Sequence, residues 1–161
     1  MDKRITFLII FFIILVIGGI TLGIFMYNQE KKAGIPKIEI AESEFDAGNV
    51  PIGAGLVKHT YKINNKGYGN LEINNIKTSC MCTQAILKTS QEVSPEFGMH
   101  NNDNSWQGVI KPDEEVELEV IFDPAFHGPD ATGEIVRLVT FNTNDQDKNK
   151  IEIKLIANVT K

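Results

Sequence analysis

The chain has 161 residues, 42% of them hydrophobic and 23% charged, with a formal net charge of −5 at pH 7. Only Asp2, Lys3 and Arg4 among the charged residues precede residue 28, so the rest of the chain is acidic too. That argues against a nucleic-acid partner, which needs clustered Lys and Arg. Two cysteines fall short of the four ligands of a structural zinc site.

From Ile5 to Tyr27 there is no charged side chain. A helix of that length spans about 34 Å, enough to cross a hydrocarbon core of about 30 Å. The run is too long for a cleaved signal peptide and ends in Leu22-Gly23-Ile24-Phe25-Met26-Tyr27 rather than a small-residue cleavage site. No cysteine lies nearby for lipoprotein processing. An uncleaved transmembrane signal anchor over residues 5–27 is therefore expected, after a cytoplasmic tail of residues 1–4. Lys3, Arg4 and the amino terminus set against Lys31 and Lys32 favour a cytoplasmic tail. Residues 28–161 are then expected outside the inner membrane. Residues 28–36 are polar, contain Gly34 and Pro36, and read as a linker.

Beyond it, short runs of β-branched and aromatic residues recur between Gly, Asn, Asp and Pro clusters, the pattern of an all-β sandwich or barrel. Strands are predicted near Lys37-Ala41, Glu44-Gly48, Leu56-Asn64, Asn70-Thr78, Gln84-Leu87, Glu115-Phe122, Gly133-Phe141 and Lys150-Val159. The period of two is clear where Val116, Leu118, Val120 and Phe122 alternate with Glu117 and Glu119. One wet and one dry face indicate antiparallel sheets, and two of them packed together give an immunoglobulin-like antiparallel β-sandwich over residues 37–161. Lys88 to Gly108 is left as a long loop. Its Trp106 is read as either a core anchor or a contact residue. Asn64-Asn65-Lys66-Gly67 is read as a turn in which Gly67 supplies positive φ.

The order of landmarks carries a resemblance. It runs Glu44-Phe45-Asp46-Ala47-Gly48, Asn64-Asn65-Lys66-Gly67, Thr78-Ser79-Cys80-Met81-Cys82-Thr83, Lys111-Pro112-Asp113, Val120-Ile121-Phe122-Asp123-Pro124 and Thr140-Phe141-Asn142-Thr143-Asn144. This resembles the bacterial domain of unknown function 1573, an exported Ig-like domain akin to the ASH and MSP-type domains. The resemblance implies a fold and an exported, periplasmic location, and no reaction. Where that family usually has glycine between the cysteines and after the proline, this chain has Met81 and Asp113.

Cys80 and Cys82 would leave one face of a regular strand together. Three readings are open: two small buried hydrophobes, a Cys-x-Cys disulfide suited to redox exchange, or a soft-metal site favouring Cu(I). In the last, Met99 and His100 of the long loop would complete the ligands of Cys80 and Cys82. His59, on a strand with Tyr61 and Ile63, and His127, on a turn, are read as structural. No nucleophile elbow, P-loop, zinc-protease or dinucleotide motif is present, so neither an enzyme nor a cofactor is expected. The sequence thus points to a membrane-anchored, non-enzymatic module that binds another protein through a sheet edge or the long loop. The alternative is a thiol redox or copper-binding protein centred on Cys80-Met81-Cys82.

Overall fold

Two hydrophobic patterns, one continuous and one alternating, give two kinds of structure. The computed structural model describes residues 3–32, 34–100 and 105–161, and the chain divides into two units, Met1–Ile35 and Pro36–Lys161. Residues 101–104 of the expected loop, Ala33 of the expected linker and the first two residues of the expected tail lie outside the described residues.

The first unit is helix α1, Lys3–Lys32. A helix apolar on every side has no wet face to offer and belongs in an apolar surrounding. Lys3–Tyr27 is long and apolar enough to cross a membrane, a criterion that a signal sequence also meets. The helix runs past Tyr27 to Lys32, into the segment expected as linker. Gln29, Glu30, Lys31 and Lys32 are good helix formers, whereas Gly34, at φ 123°, and Pro36 cannot continue it.

The second unit holds nine strands among its described residues. They are β1 (Ile38–Ile40), β2 (Glu44–Pro51), β3 (Val57–Asn65), β4 (Leu71–Thr78), β5 (Thr83–Lys88), β6 (Gln107–Ile110), β7 (Glu115–Phe122), β8 (Gly133–Thr143) and β9 (Lys150–Thr160). One sheet has the order β1-β3-β7-β5 and the other β2-β9-β8-β4-β6. The pairings are antiparallel except β2 with β9, which is parallel. This is the predicted sandwich. The alternating residues do what their period requires: Tyr61 and Ile63 of β3, Val116, Leu118, Val120 and Phe122 of β7, and Ile153 and Leu155 of β9 are buried in one core. Each such side chain contributes about 1.5–3 kcal/mol by leaving water.

Strand β6 is the one the sequence did not predict. It has four residues, one a glycine, and it pairs with β4 from Leu71↔Ile110 to Asn74↔Gln107. The glycine is required by crowding, because a Cβ on Gly108 would lie 2.6 Å from the Trp106 ring and 3.2 Å from Leu87. Trp106 itself packs against the core, its ring 5.3 Å from that of the buried Phe97. Phe97 belongs to the expected loop, whose first half folds back along β5. Ala85 and Phe97 exchange two backbone hydrogen bonds of 2.9 Å, and Leu87 donates to Ser94 Oγ at 2.8 Å. The open side of β5 is covered in this way, which removes a row of free backbone groups.

At the end of the sandwich where the chain enters, Asn65 is fully buried and its amide is saturated. Oδ1 accepts from Lys37 N at 3.3 Å and Gly67 N at 3.0 Å, while Nδ2 donates to Gly69 O at 2.8 Å and Ile110 O at 2.9 Å. Three segments, at Lys37, Gly67–Gly69 and Ile110, are tied to one side chain. Among the described residues Gly67 is not one of those with positive φ, so the expected glycine turn is replaced by this side-chain network.

Candidate functional site

The cysteines lie at the opposite end. Register runs from Asn64↔Glu115 to Val57↔Phe122 along β3 and β7, so the two ends are about 23 Å apart at strand rise. There the chain leaves β4 in one sheet and enters β5 in the other through Ser79-Cys80-Met81-Cys82. The crossing is a tight turn closed by Thr83 N donating to Cys80 O at 3.1 Å. Thr78 Oγ1 lies 3.0 Å from Cys80 O and 2.9 Å from Thr83 O. Ser79 joins the turn to β8 through Leu138, and Asp123 N donates to Cys82 O at 2.9 Å.

Because the motif is a turn, the Cα atoms of Cys80 and Cys82 are 5.3 Å apart, and the two residues form a disulfide. In a regular strand the same spacing would be nearly 7 Å, at the limit of disulfide geometry. The assumption that both thiols leave one face of a strand is therefore corrected, and of the three readings the bonded one is realised. Met81 sits at the turn, exposed, and is not among the residues with positive φ, so glycine is not required there.

The two sulfurs have different surroundings. Cys82 is 3% exposed, whereas Cys80 is half-buried. His127 Nε2 lies 3.3 Å from Cys80 Sγ. Arg137 donates from Nε to Cys82 Sγ at 3.1 Å, and Thr83 Oγ1 is 3.6 Å from the same sulfur. The Arg137 guanidinium stands over the Phe122 ring, 5.7 Å from its centre, and donates from Nη1 to Val136 O. Burial pushes the pKa of Arg137 down, yet guanidinium stays charged in proteins.

Three clefts adjoin the turn. One of about 210 Å³ is lined by Phe122, Pro124, His127 and Arg137. A second, of about 200 Å³, is bounded by Leu56, Met81, Cys82 and Phe126. The third, about 180 Å³, lies between Met81, Glu96, Met99 and His100.

Of the residues singled out in the sequence, Cys80 and Cys82 meet, while Met99 and His100 are exposed on the wall of a cleft that neither cysteine lines. The histidine that joins the sulfurs is His127, with all three ligand atoms within 4.8 Å of one another. His59 stacks on Phe45 at 3.7 Å and hydrogen-bonds Glu42 at 3.1 Å. Arg137 was missed, although it had a signal. In Ile135-Val136-Arg137-Leu138-Val139-Thr140-Phe141 the apolar phase is Ile135, Val139 and Phe141, and Arg137 shares it. A charge in the core phase of a strand needs a partner, and here the partner is a sulfur.

Two packed sheets joined by this turn define an immunoglobulin-like β-sandwich. The model of the HYDIN/CFA65/VesB-like Ig-like domain matches residues 36–157, and the chain belongs to that family. A solved protein of unknown function from Porphyromonas gingivalis W83 is similar, with 19% identity and a TM-score of 0.59 over 79% of this chain and 48% of that one. The CupB6 tip adhesin of Pseudomonas aeruginosa is similar with 10% identity and a TM-score of 0.51, over 80% of this chain and 43% of that one. PapD-like domain 7 of human CEP192 shares 11% identity at a TM-score of 0.45, over 78% of this chain and 86% of that one. The chain spans about half the length of the Porphyromonas protein and less than half of the adhesin. At these identities the likeness concerns the fold alone. No curated protein sequence matches the chain.

Proposed function

We propose that this protein is a membrane-tethered Ig-like module whose role is to bind another polypeptide. Helix α1 is the anchor in the inner membrane, and the sandwich works in the periplasm. The observation that carries this reading is the apolar surface at the disulfide end. Leu56, Met81, Met99 and Phe126 are 58%, 56%, 45% and 47% exposed. The two clefts they border share Met81 and Gln84, so the four residues form one continuous face. A clustered apolar surface on a small domain marks a contact site, and flexible methionines suit a surface that moulds to a partner. The chain enters the sandwich beside Asn65, which leaves the apolar end free of the attachment point.

The narrower kinship with domain of unknown function 1573 belongs to the same proposal. It is supported by the Ser79-Cys80-Met81-Cys82-Thr83 turn and by Asp113, which takes φ 60° where that family usually has glycine.

The test is cross-linking and affinity capture from membranes with the full chain. Met81→Glu and Phe126→Glu should each reduce recovery of the captured protein by about tenfold, the cost of a charge at the centre of a contact patch. Unchanged recovery by folded variants would reject the surface. Protease added to intact spheroplasts should cleave the sandwich; complete protection would reject the periplasmic placement.

A further inference from the structure

We propose that Cys80–Cys82 is a thiol–disulfide exchange site for dithiols, with Cys80 the sulfur that is attacked and Cys82 the thiolate that leaves. The asymmetry of the two sulfurs carries the assignment. Cys80 is half-buried beside the exposed His127, whereas Cys82 is 3% exposed, so an incoming thiolate reaches Cys80 more readily. When a thiolate attacks Cys80, the Cys80–Cys82 bond breaks and its electron pair stays on Cys82. That sulfur already accepts a hydrogen bond from Arg137 Nε at 3.1 Å and has Thr83 Oγ1 at 3.6 Å. A charge-assisted hydrogen bond of this kind stabilises the thiolate and makes it a better leaving group.

The second step completes the balance. The other thiolate of the dithiol attacks its own sulfur in the mixed disulfide, and Cys80 is released as thiolate. Cys80 then takes a proton from water, within hydrogen-bonding reach of His127 Nε2. The protein disulfide gains two electrons and the dithiol becomes a disulfide. The reverse sequence reoxidises the protein with a disulfide as oxidant.

Opening the bond need not disturb the fold. It closes a ring over a sequence separation of only two, and the flanking residues are held independently, Thr78 against Val139 and Thr83 against Phe122. Metal binding by the same sulfurs is less well supported by their neighbours, because the Arg137 cation already lies on Cys82. The apolar rim of Leu56, Met81 and Phe126 borders the cleft on the Cys82 side of the turn, two residues from the attacked sulfur, and suits a dithiol carried on an apolar stretch of polypeptide.

The oxidised full-length chain in detergent would be treated with glutathione under native conditions, quenched by alkylation and mapped by mass spectrometry. Glutathione should be found on Cys80 and the alkyl group on Cys82. Arg137→Gln should slow opening by about tenfold at equal thiolate concentration, the effect expected from losing one charge-assisted hydrogen bond. Arg137→Lys should restore part of the rate. Glutathione on Cys82, opening only in denaturant, or a wild-type rate in Arg137→Gln would overturn the proposal. Should Arg137→Gln fail to fold, the Cys80-versus-Cys82 mapping on the wild-type chain decides alone. A dithiol peptide with apolar flanks should react about tenfold faster than one with acidic flanks, as expected for burial of two or so methylenes against the rim; equal rates would reject the polypeptide source. The chemistry does not depend on the docking reading, since exchange kinetics and partner capture can fail separately.

Discussion

The two ends of the sandwich handle buried polarity in opposite ways. At the entry end, Asn65 has every donor and acceptor of its amide satisfied by backbone, and the result is a closed corner binding Lys37, Gly67, Gly69 and Ile110 together. At the far end, the half-buried charge of Arg137 meets a sulfur, an atom that can change its bonding. A saturated amide has one state, whereas a disulfide with a cation on one sulfur has two accessible ones. The same sheet pair thus carries a fixed corner and a reactive one.

The sharpest way to break the contrast is Asn65→Ala. It would leave the Gly67 N–H and the carbonyls of Gly69 and Ile110 without their side-chain partner in the interior, with the Lys37 N–H at its edge, and each unsatisfied buried group costs about 1–3 kcal/mol. Allowing for entry of water at the turn, the loss should be about 3 kcal/mol or more, read as a lower denaturation midpoint with an unchanged denaturant slope. The reactive corner should give less. In Cys80→Ser/Cys82→Ser the loop released is so short that the chain-entropy contribution is at most about 1.5 kcal/mol. The double variant should therefore stay folded and lose thiol exchange, while Asn65→Ala loses stability first. A double variant less stable than Asn65→Ala would reverse the assignment of structural and chemical roles.

How much of this could be read from the sequence follows the same division. Alternating β-branched residues gave eight of the strands because burial on one face repeats every second position, as in β7. Strand β6 escaped because four residues including Gly108 are too few to show a period, and its place is set by the ring of Trp106, the residue just before it, which packs over Gly108. Asn65 was legible as a turn residue but not as a hub, since three of its four partners lie in other segments or beyond the turn. The cysteine pair was plain in the sequence. Its bonding was not, because two residues apart means one face of a strand or the ends of a tight turn, and only the sheet assignment of β4 and β5 separates these. His127 and Arg137 lie 47 and 55 residues from their sulfurs. No local pattern links residues so distant, though the misplaced charge at Arg137 was visible in the alternation of β8.

The smallest expected effect tests the closed corner from its other side. Asp113 adopts φ 60° in the turn that follows β6, and its N–H donates to Asn65 O at 2.9 Å. An L-residue in that region crowds its Cβ against the backbone, and aspartate tolerates it better than most but not without cost. Asp113→Gly removes the crowding and also loosens the unfolded chain, two effects of opposite sign. Glu114 keeps the turn in either case, because its side chain accepts from Lys111 N at 2.8 Å and its own N–H donates to Lys111 O at 3.1 Å. The substitution should therefore raise stability by up to about 1 kcal/mol, a slight increase in denaturation midpoint. A loss beyond the ~1 kcal/mol that a freer unfolded chain can cost would mean that the Asp113 side chain itself holds the corner, and that Asn65 shares the closing of that end with a second polar residue.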